Sequence, residues 1–180
     1  GNEHPAVATA LNNIALCLKQ MGKLNDAVKS YQEALEIFKR ILGSEHPNVA
    51  TLLNNIASCL SDMGKYDEAL PKYEEAVTIW RRALGDDHPN VASGLNNIAL
   101  CLSKMGKNEE ALKYNYEALA IRKRALGDDH PDVAQSLNNI ATCLMYQGKF
   151  SDALKPNYEA LAIRKRALGN DHPEVATSLN

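Results

Sequence analysis

The sequence predicts an all-α solenoid, a stack of antiparallel helix pairs repeated along the chain. Three observations carry that prediction. His-Pro occurs at His4, His46, His88, His130 and His172, always 42 residues apart. Asn-Asn-Ile-Ala returns at Asn12, Asn54, Asn96 and Asn138 on the same period, as does Gly-Lys at Gly22, Gly64, Gly106 and Gly148. Self-similarity at a period of about 20 to 50 residues means a solenoid, a propeller or an array. Within one repeat, Val7, Ala8, Leu11, Ile14, Ala15 and Leu18 follow the spacing of one helical face, with none of the alternation of a strand.

The elements follow in order. Pro5 suits a first helical turn, and His4 before it is pushed out of helical geometry, so a first helix starts there. Gly22 ends it by adopting positive φ. A second helix is patterned by Leu24, Ala27, Val28, Tyr31, Ala34, Leu35, Ile37 and Leu42. Asp67 and Glu109 lie at the starts of such helices, and Lys39-Arg40 and Arg122-Lys123-Arg124 at their ends, which complements the helix dipole. Gly43, Gly85, Gly127 and Gly169 close them. The boundaries predict a single array over 1–180, with repeats at about 4–45, 46–87, 88–129 and 130–171 and a partial fifth at 172–180. One helix pair cannot bury its apolar face alone, so neighbours share a continuous core. Small residues such as Ala15, Ala27 and Ala34 let the helices approach closely, and Cys17 and Met21 are expected to pack against the next repeat.

Composition narrows the function. The 180 residues are 45% hydrophobic and 23% charged, with a formal net charge of −2. No run of about 18 apolar residues is long enough to span a membrane. The near-neutral balance, with Glu interleaved among the Arg-Lys-Arg runs, argues against nucleic acid. The four cysteines recur once per repeat, at Cys17, Cys59, Cys101 and Cys143. Equivalent helices about 8–10 Å apart hold such residues too far apart for disulfides, which points to packing and a reducing, cytoplasmic compartment. His88 beside Asp86-Asp87 is a weak metal set, better explained by helix capping. His4 and Cys17 lie about 20 Å apart along one helix, too far for a nucleophile pair. An active site would appear once, whereas every feature here recurs. The expectation is a protein without enzyme activity, cofactor or metal.

Leu11, Ile14, Ala15, Leu18, Gly22, Ala27, Tyr31 and Ala34 resemble the tetratricopeptide signature, in repeats longer than the usual unit of about 34 residues. The Leu-Asn-Asn-Ile-Ala and Leu-Gly-Asp-Asp-His-Pro segments resemble the kinesin-light-chain and nephrocystin-3-like branch, as does Pro71. The resemblance implies a right-handed superhelix whose first helices line a concave groove for peptides, and it leans toward acidic ones. Two departures stand out. The aromatic position of Tyr31 and Tyr73 becomes Asn115 and Asn157, which are expected to be buried or nearly so, each with a hydrogen bond to a neighbouring helix. Pro156 lies one residue deeper in its helix than Pro71 and is expected to distort that turn.

Stepping about 100° per residue around the first helix places an uncharged, amide-rich arc opposite the core. Asn12, Asn13, Leu16, Asn54, Asn55, Ser58, Asn96, Asn97, Leu100, Asn138, Asn139 and Thr142 fall on or beside it. A solvated face normally carries Lys and Glu, and paired Asn residues cost helix stability. Two readings remain open: amides that hydrogen-bond an extended peptide backbone, and amides that tie neighbouring repeats together. The first expects that replacing Asn54, Asn96 and Asn138 by alanine leaves the melting temperature almost unchanged. Arg40, Arg82, Arg124 and Arg166 recur near the ends of the second helices and either rim the groove or answer the dipole. The leading function is a protein-interaction scaffold that binds an extended peptide in the groove, with an acidic one implied by the resemblance alone. The alternative is a structural spacer or a self-assembling array. Residues 172–180 reproduce the start of a repeat, so the ends are expected to be complementary and to stack head to tail.

Overall fold

A computed structural model describes residues 4–168. Residues 172–180, expected to begin a fifth repeat, lie outside the described residues. Among the described residues there are eight helices and no strand: α1 (Pro5–Gln20), α2 (Leu24–Leu42), α3 (Pro47–Asp62), α4 (Tyr66–Leu84), α5 (Pro89–Lys104), α6 (Asn108–Leu126), α7 (Pro131–Tyr146) and α8 (Phe150–Leu168). The chain divides into two compact units, Gly1–Asp86 and Asp87–Asn180. In the first, α2 packs against both α1 and α3, and α4 against α3. In the second, α6 packs against both α5 and α7, and α8 against α7.

Local chemistry explains where the helices start and stop. His4, His46, His88 and His130 cap the first helices: each Nδ1 accepts from the backbone N–H two residues on, at 3.1 Å. That bond satisfies one of the free N–H groups of a first turn, and the Pro that follows needs none. At the other end of α5, Gly106 sits at φ 79°, where a residue with a Cβ is strained. The reversal lets Lys107 N–H donate to Leu102 C=O at 2.9 Å and Gly106 N–H to Ser103 C=O at 3.0 Å, the paired bonds of a Schellman turn. The chain turns within a few residues, so the second helix lies back along the first. α8 is continuous through Pro156, as α4 is through Pro71. The proline leaves Asp152 C=O without the donor that an unbroken helix would give it, yet the helix runs on through that turn.

Packing follows the small residues. Ala15, Ala27 and Ala34 are fully buried where α1 and α2 meet, and Ala111 and Ala118 occupy the corresponding places on α6. In the second unit Ile140, Ala141, Leu144 and Ala153 form one cluster, against which Leu112 and Leu119 of α6 pack. Position in the stack decides exposure. Ile14, expected in the core, is 52% exposed, while its counterparts Ile56 and Ile140 are each 1% exposed. α3 and α7 have a second helix on that side, α2 and α6 respectively, and no described helix covers α1 there. Cys17 is exposed for the same reason, correcting the expectation that it packs, while Cys59 and Cys143 are buried. Met21 is also exposed.

Tyr31 lies on the buried side of α2, and burial, with a smaller contribution from Cys59, pushes its phenol from 10.0 up to about 12. The folded state therefore favours the neutral phenol. Its contribution is complete below about pH 10 and is lost as the pH rises from there toward about 12. Urea midpoints of the wild type should fall further between about pH 9 and about pH 11 than those of Tyr31→Phe. Equal falls would show that Tyr31 does not set the alkaline limit.

Candidate functional site

The outward faces of the first helices differ between the two units. In the C-terminal unit α5, α6 and α7 enclose a cavity of about 710 Å³. Asn96, Asn97, Leu100, Asn139 and Thr142, all read from the sequence as candidates, line it, together with Ser93 and Gln135. Leu100 is 56% exposed and gives the wall an apolar patch. Gln135 Nε2 donates to Asn139 Oδ1 at 3.0 Å, one turn along α7.

The floor of that cavity is polar and buried. Asn115, 2% exposed, occupies the place of Tyr31 and donates through Nδ2 to Cys143 Sγ at 3.3 Å. Arg122 is 8% exposed, and its Nη1 donates to Asp132 C=O at 2.8 Å and to Ser136 Oγ at 2.9 Å. A guanidinium offers only donors, so the Asn96 amide must turn its oxygen toward it. In that orientation Asn96 Oδ1 accepts from Arg122 Nη1 at 2.8 Å and Nη2 at 3.0 Å, and Asn96 Nδ2 donates to Asn115 Oδ1 at 3.1 Å. Burial lowers the Arg122 pKa, and the negative charge of Asp132 partly offsets this. The motif repeats on the next pair, where Asn138 Oδ1 accepts from Arg164 Nη1 at 2.6 Å and Nη2 at 2.9 Å. Asn157 is half-buried.

The N-terminal unit carries aromatic carbon at the same registers. Tyr31, Phe38 and Leu52, all buried, stand where Asn115, Arg122 and Ser136 stand in the other unit. Above them Asn55 Nδ2 donates to Asn12 Oδ1 at 3.3 Å, between α3 and α1. Lys19 Nζ donates to Ser58 Oγ and pairs with Asp62 at 3.2 Å. Leu16 and Asn13 are exposed, and Asn54 is half-buried. Some of these amides therefore bond one helix to another, and Asn13 is exposed.

The recurrent arginines near the helix ends meet other partners. Arg82 pairs with Glu45 at 3.0 Å, Arg124 with Asp87 at 2.6 Å and Arg166 with Asp129 at 2.5 Å. Each acid lies just before the first helix of the same pair, so these exposed pairs fasten the start of one helix to the end of its partner. Arg40 Nε donates to Glu36 C=O at 3.4 Å. Neither Arg124 nor Arg166 lines the C-terminal cavity; the arginine that does is Arg122. Sequence reasoning read Arg122 only as part of a basic run. The missed signal was the column Phe38, Trp80, Arg122 and Arg164, which switches from aromatic to cationic together with Tyr31, Tyr73, Asn115 and Asn157, two turns away on the same face. Among the described residues, no group of three or more His, Cys, Asp or Glu side chains is placed to hold a metal. No helix among them is long and apolar enough to cross a membrane.

The family model described as Tetratricopeptide repeat matches residues 6–70, 48–124 and 90–166. The chain belongs to the tetratricopeptide repeat family. This tetratricopeptide array is similar to the crystal structure of BtubC (BKLC) from P. vanneervenii, with 27% identity and a TM-score of 0.83 over 94% of this chain and 68% of that one. It is also similar to the kinesin light chain nearly identical TPR-like repeats of Podosopora anserina, with 24% identity and a TM-score of 0.83 over 97% of this chain and 83% of that one. Aspartyl phosphate phosphatase F from Bacillus subtilis shares the fold at 18% identity and a TM-score of 0.85, over 97% of this chain and 44% of that one. A comparison with curated proteins finds no match. Tetratricopeptide repeat arrays are protein-interaction scaffolds, and the fold is similar to that of the kinesin light chain repeats.

The buried network changes what alanine does at Asn96. Removing this amide leaves both Arg122 and Asn115 short of a partner in a mostly buried site, so the triple alanine replacement should lower the melting temperature. Asn96→Ala should cost about 2–3 kcal/mol and Asn55→Ala about 1 kcal/mol or less, measured by urea unfolding. Equal costs would mean that the floor network contributes nothing beyond an ordinary surface bond.

Proposed function

We propose that the array binds an extended peptide segment of a partner protein along the faces of its first helices. In the C-terminal unit Asn97, Asn139 and Thr142 hydrogen-bond the peptide backbone, and Leu100 supplies apolar contact. Asn96 and Asn138 shape that face from behind. In the N-terminal unit Asn12, Asn13, Leu16, Asn54, Asn55 and Ser58 play the corresponding part. The single observation that carries the reading is the C-terminal cavity, walled by uncharged amides, hydroxyls and an exposed leucine on helices whose other faces are core. A face without that purpose would carry Lys and Glu, as the second helices do. An acidic ligand suits the cavity, whose charged lining residues, Lys104 and Arg122, are both cationic.

Peptides selected from a random displayed library against the wild-type protein provide the test. Their affinity for Asn97→Ala combined with Asn139→Ala should fall about 5- to 100-fold, since backbone-directed bonds contribute roughly 0.5–1.5 kcal/mol each. Leu100→Lys should weaken them further without altering helicity, because Leu100 is already exposed. Selected peptides that bind all three proteins equally would remove the groove assignment.

A second reading, head-to-tail self-association, is favoured by two apolar faces. Ile14 on α1 and Leu154 on α8 are exposed, whereas their counterparts Ile140 and Leu112 take part in the packing of α7 and α6. Light scattering over a wide concentration range should show a mass that grows steadily rather than stopping at a dimer. A mass that stays constant at the monomer value excludes it.

A further inference from the structure

We propose that the second-helix side of the N-terminal unit carries a docking groove for an acidic segment of a partner protein, with one apolar side chain of that segment seated between lysines. This inference does not rest on the peptide reading above, because it uses the opposite side of α3. The groove, about 570 Å³, runs between α2 and α4. Ile56, Leu60 and Met63 of α3 form its floor. At about 100° per residue, Leu60 and Met63 lie within about 40° of Ile56 around the helix. Asn54 and Ser58, candidates for the first-helix face, lie about 160° from it. Val28 of α2 helps to open the groove. Its counterpart in the C-terminal unit is Leu112, one methylene longer, which packs against the cluster of Ile140 and Leu144.

The rim sets the sign of the ligand. Lys29, Lys65 and Lys72 line the groove with one acid, Glu68. Lys65 pairs with Glu68 at 3.5 Å and Lys29 with Asp26 at 3.9 Å, and all four side chains are at least half exposed, so both pairs are weak. Lys72 is half-buried and meets no carboxylate among the described residues. A cation that has lost part of its hydration without gaining a partner is favoured by an incoming carboxylate. The C-terminal unit shows that the fold does not require this balance. There Glu109 and Pro156 stand at the registers of Asn25 and Lys72, leaving two bases, Lys113 and Lys149, against two acids, Glu109 and Asp152. The floor selects against a bare anion, because the flexible thioether of Met63 adapts to an apolar side chain laid on it. Asp26 and Glu68 among the lysines disfavour a uniformly anionic surface, whereas a segment with placed carboxylates reaches Lys72 and avoids them.

The test is NMR on the whole chain labelled at its four methionine methyls, of which only Met63 lines the groove. The probe is acetyl-Glu-Glu-Leu-Glu-Glu-amide, which should shift the Met63 resonance saturably. Binding in the C-terminal cavity is read separately at Met145, beside the lining residue Tyr146, so failure at either place leaves the other visible. Replacing the central leucine of the probe by alanine should weaken binding at Met63 at least about threefold as apolar contact is lost. Acetyl-Lys-Lys-Leu-Lys-Lys-amide should leave Met63 unmoved. Lys72→Glu should keep the helicity of the wild type by circular dichroism and lower the affinity at least about fivefold. Should that variant not fold, the exposed Lys29→Glu takes its place, with a loss of about twofold or more. The proposal is overturned if the probe leaves Met63 unmoved, if the lysine peptide shifts it equally, or if the alanine peptide binds as tightly. A folded variant that binds the probe as the wild type does overturns it too. So does a Met63 shift that follows protein concentration alone, which puts a second copy in the groove. A shift produced by vesicles of phosphatidylcholine and phosphatidylserine but not by the peptide puts a membrane there and likewise replaces the proposed occupant.

Discussion

The buried middles of α2 and α6 each lie between two first helices, and the remaining features depend on that sandwich. α2 lies between α1 and α3, and α6 between α5 and α7. A helix 19 residues long with a broad apolar face cannot be covered by one neighbour, because a single helix–helix contact shields only a stripe. The fully buried alanines at the crossings allow the axes close enough for larger side chains above and below to meet. The effect of losing one layer is visible in a single register. Ile140 is buried beside Leu112 and Leu119, while Ile14, the same residue in the same place on α1, is half in water.

That sandwich also creates the conditions for a polar site. Once the middle of α6 is shut off from solvent, any residue there must be apolar or fully partnered. The N-terminal unit takes the apolar course with Tyr31 and Phe38. The C-terminal unit takes the other, with Asn96, Asn115, Arg122 and Ser136 bonded to one another beneath an open cavity. Buried ions are weak devices for stability, since replacing them with well-packed apolar groups is often neutral or better. The polar floor therefore has to be understood through what it presents to the cavity. One fold thus carries two chemically different faces, set by substitutions at three registers.

Most of the architecture was legible because repetition multiplies weak signals. One His-Pro step or one Gly-Lys pair would be an ordinary turn; recurring every 42 residues with the same helical spacing, they locate the starts of the first helices and the turns within each described pair. The cap chemistry was readable too, since Nδ1 of His88 reaches the N–H of Asn90 through purely local geometry. Of the candidate groove, the uncharged arc was legible from the spacing of Asn97, Leu100, Asn139 and Thr142. The direction of each amide was not, because adjacent residues on a helix point about 100° apart and one of each pair must turn inward. Asn96 turned inward, toward an arginine whose importance the basic run Arg122-Lys123-Arg124 concealed.

By itself, then, the sequence determined the fold class, the helix boundaries, the tetratricopeptide likeness and the uncharged face, all of which depend on residues within one repeat of each other. Tertiary structure alone decided which apolar residues were covered, which linker acid met which arginine, and which guanidinium was buried. Those outcomes depend on the neighbouring helix rather than on the residue's own. Arg122 and Arg124 lie two positions apart on one helix: one points into a layer that α7 closes, and the other reaches Asp87 in the open. No local pattern separates them, because burial is a property of what packs against a side chain.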